Sequence, residues 1–182
     1  MAKGLSIKDE SISFEELFEF QAIPPEERAT MAKAQVLLIP SGYRDSPHAF
    51  SSGTSEFLAY CREKMPGIVD ICTTDEGYVE IELNSCTLRI NKIVVMEAVF
   101  TVFLGVLSNY ITDWSKNYLT PQEPKVECIA PPTVSFSINV IDSVKGMSKR
   151  FDYEGSAEDA PEIIKEIETL WNGQERNPKS DK

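Results

Sequence analysis

The chain has 182 residues, 42% hydrophobic and 26% charged, and 29 acidic against 18 basic side chains give a net charge of −11. That length and composition suit one globular domain with a core of its own and exclude wholesale disorder. So negative a surface repels phosphate backbones and anionic headgroups, so neither nucleic acid nor a membrane surface is expected as a partner.

The four cysteines, Cys61, Cys72, Cys86 and Cys128, lie far apart, which excludes the paired spacing of zinc ribbons and redox motifs. Their apolar or β-type neighbours predict four free, mostly buried thiols. Met1 to Gly4 are followed by charged and polar residues rather than an apolar stretch, so no secretory signal is expected. Together these features point to a reducing, cytoplasmic address.

In chain order, Phe14, Leu17 and Phe18 at helical spacing predict a short helix over Ser13–Phe20, with Ser13 and Glu16 as a capping box. Pro24-Pro25 halts it. The run Val36 to Ile39 reads as a strand buried on both faces. After the polar stretch from Ser41 to Gly53, a helix is expected from Thr54, with Phe57, Leu58, Cys61 and Met65 on one side and Pro66-Gly67 as its stop. Ile68 to Cys72 is a further strand, able to form a right-handed parallel unit with the first. Alternation predicts strands over Tyr78–Leu83 and again from Cys86, as a meander with one wet face.

Ile93 to Ile111 is almost continuously apolar and is expected to form one long core helix. It reaches about the minimum length for crossing a bilayer. Glu97 inside it, and a stripe of Glu97, Thr101, Gly105, Ser108 and Thr112 at steps of three or four, favour a soluble core helix with close packing along that stripe. Thr133–Ile141 and the stretch from Met147 to Tyr153 alternate as two strands about a Lys145-Gly146 turn. Ser156 and Asp159 open a last helix striped by Ile163, Ile164, Ile167, Leu170 and Trp171.

The fold expected is α/β of the α+β type: one domain with a mixed, largely antiparallel sheet of about five to six strands, a long apolar central helix and a C-terminal amphipathic helix. Residues 1–32 would form a helical arm, 33–173 the domain and 174–182 a polar tail.

The best candidate site is the loop 40–54, past the end of a buried strand and before a helix. Ser41, Tyr43, Arg44, His48, Ser52, Gly53 and Thr54 are its candidate binding residues, with backbone N–H groups at the helix start offered to an anion and Arg44 as counter-charge. The glycines match neither a Walker A loop nor a dinucleotide fingerprint. His48 is the only histidine, so no two-histidine metal site is possible. Ser41 lies in no nucleophile elbow. Glu80 and Glu82 read as a solvated strand face rather than a metal site.

No catalytic residue, metal or cofactor is therefore assigned. The leading expectation is a non-catalytic protein-interaction module or accessory subunit, bound to another protein or to itself, with Glu97, Thr101, Gly105 and Ser108 at the interface. The alternative is a small-molecule or nucleotide-like anion-binding domain using the loop 40–54, with weak hydrolase activity as a further possibility.

Overall fold

The computed structural model describes residues 4–10, 14–42, 46–82, 86–119 and 131–175. Its elements in chain order are β1 (Leu5–Asp9), α1 (Phe14–Phe20), α2 (Pro25–Met31), β2 (Val36–Ile39), β3 (Phe50–Ser51), α3 (Thr54–Lys64) and β4 (Val69–Ile71). There follow β5 (Glu80–Ile81), β6 (Thr87–Met96), a 3₁₀ turn (Glu97–Val99), α4 (Phe100–Leu119), β7 (Thr133–Asp142), β8 (Met147–Ser156) and α5 (Ala160–Glu175).

The main sheet runs β1-β8-β7-β6-β2-β4. Its β2–β4 and β6–β7 pairs are parallel and the other three are antiparallel. Each parallel pair is bridged by a helix, α3 for the first and α4 for the second, as a parallel crossover requires. The mixed α/β class, the mostly antiparallel sheet, the long helix and the C-terminal helix are as expected.

Strand β2 explains its own sequence. Val36 and Leu38 face α3, α4 and α5 in the main core, whereas Leu37 and Ile39 face a second cluster under α1 and α2. A strand buried on both faces has no polar alternation to show. Strand β7 meets the main core on one face, so Val134, Phe136, Ile138 and Val140 alternate with Ser135, Ser137 and Asn139, of which Asn139 is itself buried.

Three expectations are corrected. Ile93–Ile111 is not one helix: Ile93 to Met96 complete β6, Glu97–Val99 turn, and the helix starts at Phe100. The β-branched run Ile93-Val94-Val95 is stiff at χ1 and prefers the pleated sheet, while Phe103, Leu104 and Leu107 beyond it suit a helix. Secondly, Tyr78–Leu83 joins no meander. Among the described residues only Glu80–Ile81 forms a strand, pairing parallel with β3 in a separate two-stranded ribbon, and Val79 is half exposed. Thirdly, the first 32 residues are not a helical arm, because Leu5–Asp9 forms an outer strand of the main sheet. The polar tail from 176 lies outside the described residues, as does Ser13 of the expected capping box.

Cys61 and Cys72 are free and buried, as expected. Burial pushes both thiols up to about 12, with the charge of Asp70 adding to the effect at Cys72. Cys86 is disulfide-bonded, which corrects the expectation of four free thiols. Cys128, the one cysteine then left in the sequence, lies outside the described residues.

Candidate functional site

The described residues of the loop 40–54 do not converge on one place. Tyr43 and Arg44 lie outside the described residues. His48 is exposed on the α1 side, its Nδ1 2.8 Å from Gln21 Oε1 and its ring against Phe20. Ser41 borders the polar sheet face beside Lys92 and Ser137, and Ser52 is exposed.

Thr54 is buried in a small network. Its hydroxyl donates to the Ser51 carbonyl (2.6 Å) and accepts from Asn91, while Asn91 Oδ1 accepts the Ser51 N–H (3.1 Å). Asn91 sits where the β6–β7 register shifts between Arg89 and Lys92. An irregularity of that kind re-aims a side chain, and here it turns Asn91 into the core to fasten the start of α3.

The N-terminus of α3, offered in sequence to an external anion, already holds one. The Glu80 carboxylate accepts the N–H of Gly53 (3.2 Å) and of Ser55 (2.7 Å), together with the Tyr78 hydroxyl. Burial works against the ionised form, but these hydrogen bonds outweigh it and hold the Glu80 pKa below its ordinary value. Tyr78 moves the other way: burial, then its bond to Glu80 and the charge there, raise its pKa.

A broad groove begins at this corner. With a volume of about 1140 Å³, it runs between α2, α3 and the turn after β4. Leu58 and Ala59 of α3, Met31 of α2, Ile71 of β4 and the ring of Tyr78 supply apolar lining. Ala22, in the left-handed conformation at φ 54°, turns the chain from α1 so that Ile23 is buried and Pro24 stands at the groove's margin. Glu27, Asp75 and Glu76 supply acidic lining, and Arg62 is engaged by Asp70 at 2.8 Å.

The groove follows the outer edge of β4, and most of that edge is engaged. The Val69 carbonyl accepts from Arg62 Nε (3.4 Å), the Ile71 N–H donates to Asp70 Oδ1 (2.9 Å) and the Ile71 carbonyl accepts the Thr73 N–H (3.0 Å). A strand edge so occupied does not recruit another strand. Whatever enters this groove meets side chains.

The residues singled out on α4 face outward. Glu97 reaches solvent on the 3₁₀ turn, Thr101 and Gly105 are exposed, and Ser108 is half buried. A Cβ built on Gly105 meets nothing within 4 Å, so the close packing expected along this stripe is not made among the described residues. Val102, 59% exposed, lies beside them.

The bare half of the sheet's second face carries the rows Lys8–Arg150–Asn139 and Ser6–Asp152–Ser137–Lys92 across β1, β8, β7 and β6. Arg150 reaches both Asp152 (2.7 Å) and Glu10 (3.3 Å), and Lys8 lies 3.7 Å from Asp152. These charges largely satisfy one another.

Among the described residues there is no group of three or more His, Cys, Asp or Glu placed to hold a metal ion, and no helix is long and apolar enough to cross a membrane. No family model, no curated protein and no solved structure matches the chain.

Proposed function

We propose that this chain is a non-catalytic protein-interaction module or accessory subunit, and that the groove between α2 and α3 is its docking site for a partner protein. The observation behind this reading is the pairing of an apolar lining (Met31, Leu58, Ala59, Ile71) with an acidic one (Glu27, Asp75, Glu76) in one groove of about 1140 Å³. In a chain of net charge −11, such a surface favours a segment that anchors apolar side chains and carries Lys or Arg beside them. With most of the β4 edge engaged, recognition rests on side chains, as when an amphipathic helix is laid into a groove.

The alternative reading, an anion-binding domain on the loop 40–54, gains no support from a helix N-terminus filled by Glu80. The cytoplasmic address loses the thiol argument to the disulfide at Cys86 and forms no part of the proposal.

The test is selection of peptides from a random display library against the whole protein. The selected sequences should combine two or more basic residues with apolar anchors. Reversing two exposed rim charges, Asp75→Lys with Glu76→Lys, should weaken their binding at least about tenfold without unfolding the protein. Acidic selected sequences, or unchanged affinity in the double variant, would contradict the proposal.

A further inference from the structure

The two edges of the main sheet are treated unequally. At β4 the Val69 carbonyl and both backbone groups of Ile71 are engaged. At the other edge, the Glu154 N–H donates to the Gly4 carbonyl (3.3 Å), so Gly4, Ser6 and Lys8 are the residues whose backbone faces β8. By antiparallel alternation, the N–H and C=O groups of Leu5, Ile7 and Asp9 face away from the sheet. Among the described residues no hydrogen bond reaches them, and β8 is the strand's only partner in the sheet. Lys8 does not guard this edge, because its ammonium is directed toward Asp152, 3.7 Å away on the polar face. Leu5 is buried and Ile7 packs against the main core, so the strand is anchored, and among the described residues nothing pairs with its outer edge.

We propose that β1 pairs with β1 of a second copy, antiparallel about a two-fold axis, to join two six-stranded sheets into one. The sequence of the strand selects both this occupant and its register. Hydrogen bonding requires outward residues to face one another, so the axis passes through a residue; at Lys8 it would oppose two ammonium groups, which leaves Ser6 and Ile7 as the central choices. An axis at Ile7 sets the Asp9 carboxylate against Leu5 on the apolar face. An axis at Ser6 sets Leu5 against Ile7 on the apolar face, Ser6 against Ser6 on the polar face and Lys8 against Gly4, with no like charges opposed. The second register extends the core across the joint. A two-fold contact uses the same patch on both copies, so it closes as a dimer and leaves no β1 edge for further growth. It lies at the opposite edge of the sheet from the α2–α3 groove and does not depend on that groove's role.

The experiment is sedimentation of the full chain across a concentration series, with variants that read the register. Wild type should form dimers within the range up to about 0.5 mM. Ile7→Pro removes an N–H that points away from β8, so it should abolish the dimer while far-UV circular dichroism stays that of wild type. Ser6→Cys places two thiols across a non-hydrogen-bonded pair at about 4.5 Å between Cα atoms, which is disulfide distance, and mild oxidation should give a covalent dimer. Ile7→Cys puts the two thiols beyond disulfide reach and should not cross-link. A wild type that stays monomeric throughout, or one that takes up only a strand of another protein, overturns the proposal. So does a folded Ile7→Pro dimer, or cross-linking through Ile7→Cys in place of Ser6→Cys.

Discussion

Glu80 fastens one corner of the molecule with a single carboxylate. Helix α3 begins at Gly53, a left-handed glycine at φ 86° whose position offers no side-chain cap, and the missing acceptor arrives from 27 residues away. Replacing an N-terminal acceptor of this kind costs about 1 kcal/mol, so Glu80→Gln should lower stability at pH 7 by about that much. Because the folded-state pKa is depressed, the charge contributes fully above the ordinary glutamate value near 4.3 and its contribution fades as pH falls through the folded value. Urea unfolding of wild type and variant at pH 7 and again near pH 2.5 should show the gap closing in acid. An equal gap at both values would mean that the charge is not what holds α3. In sequence Glu80 and Glu82 read as the wet side of a strand, and no local pattern announces a cap that the fold brings from so far.

At the scale of elements, α4 shows what periodicity conveys and what it conceals. Phe103, Leu104, Leu107 and Ile111 are buried as their spacing predicts. The opposite stripe was read as a packing groove, yet Thr101 and Gly105 are exposed. Small residues at helical spacing mark close packing only when something lies over them, and sequence does not say whether anything does. Gly105→Ala should therefore stabilise the fold by about 0.4–1 kcal/mol, since the added methyl meets nothing and the unfolded chain loses freedom. Destabilisation in thermal melts of that variant would place another surface against α4. Strands β2, β4 and β7 and helices α3 and α5 were legible because each is decided by its own pattern and its own stop signals. The apolar stretch from Ile93 was not, because a strand under two layers and a core helix joined by a short turn share one hydrophobic run. Strand β1 was missed because Leu5, Ile7 and Lys8 are too few to announce a strand that β8 alone holds in place.

At the scale of the whole molecule, the described residues leave open the α2–α3 groove, the polar array on β7 and β8, the outer edge of β1 and the outer face of α4. The polar array is occupied by its own ion pairs. The edge offers backbone, and the groove combines apolar and acidic side chains. Composition had indicated an acidic surface but not where it meets apolar ground, because Glu27 on α2, Leu58 on α3 and Asp75 after β4 are joined only by the fold. The groove is the account's central claim, and the most direct measurement is amide chemical-shift mapping of the full chain titrated with a display-selected basic peptide. The account predicts saturable shifts centred on Leu58, Ala59, Arg62, Thr73, Thr74 and Tyr78, weakening as salt is raised. Shifts centred instead on the outer face of α4, at Thr101, Val102 and Gly105, would contradict it.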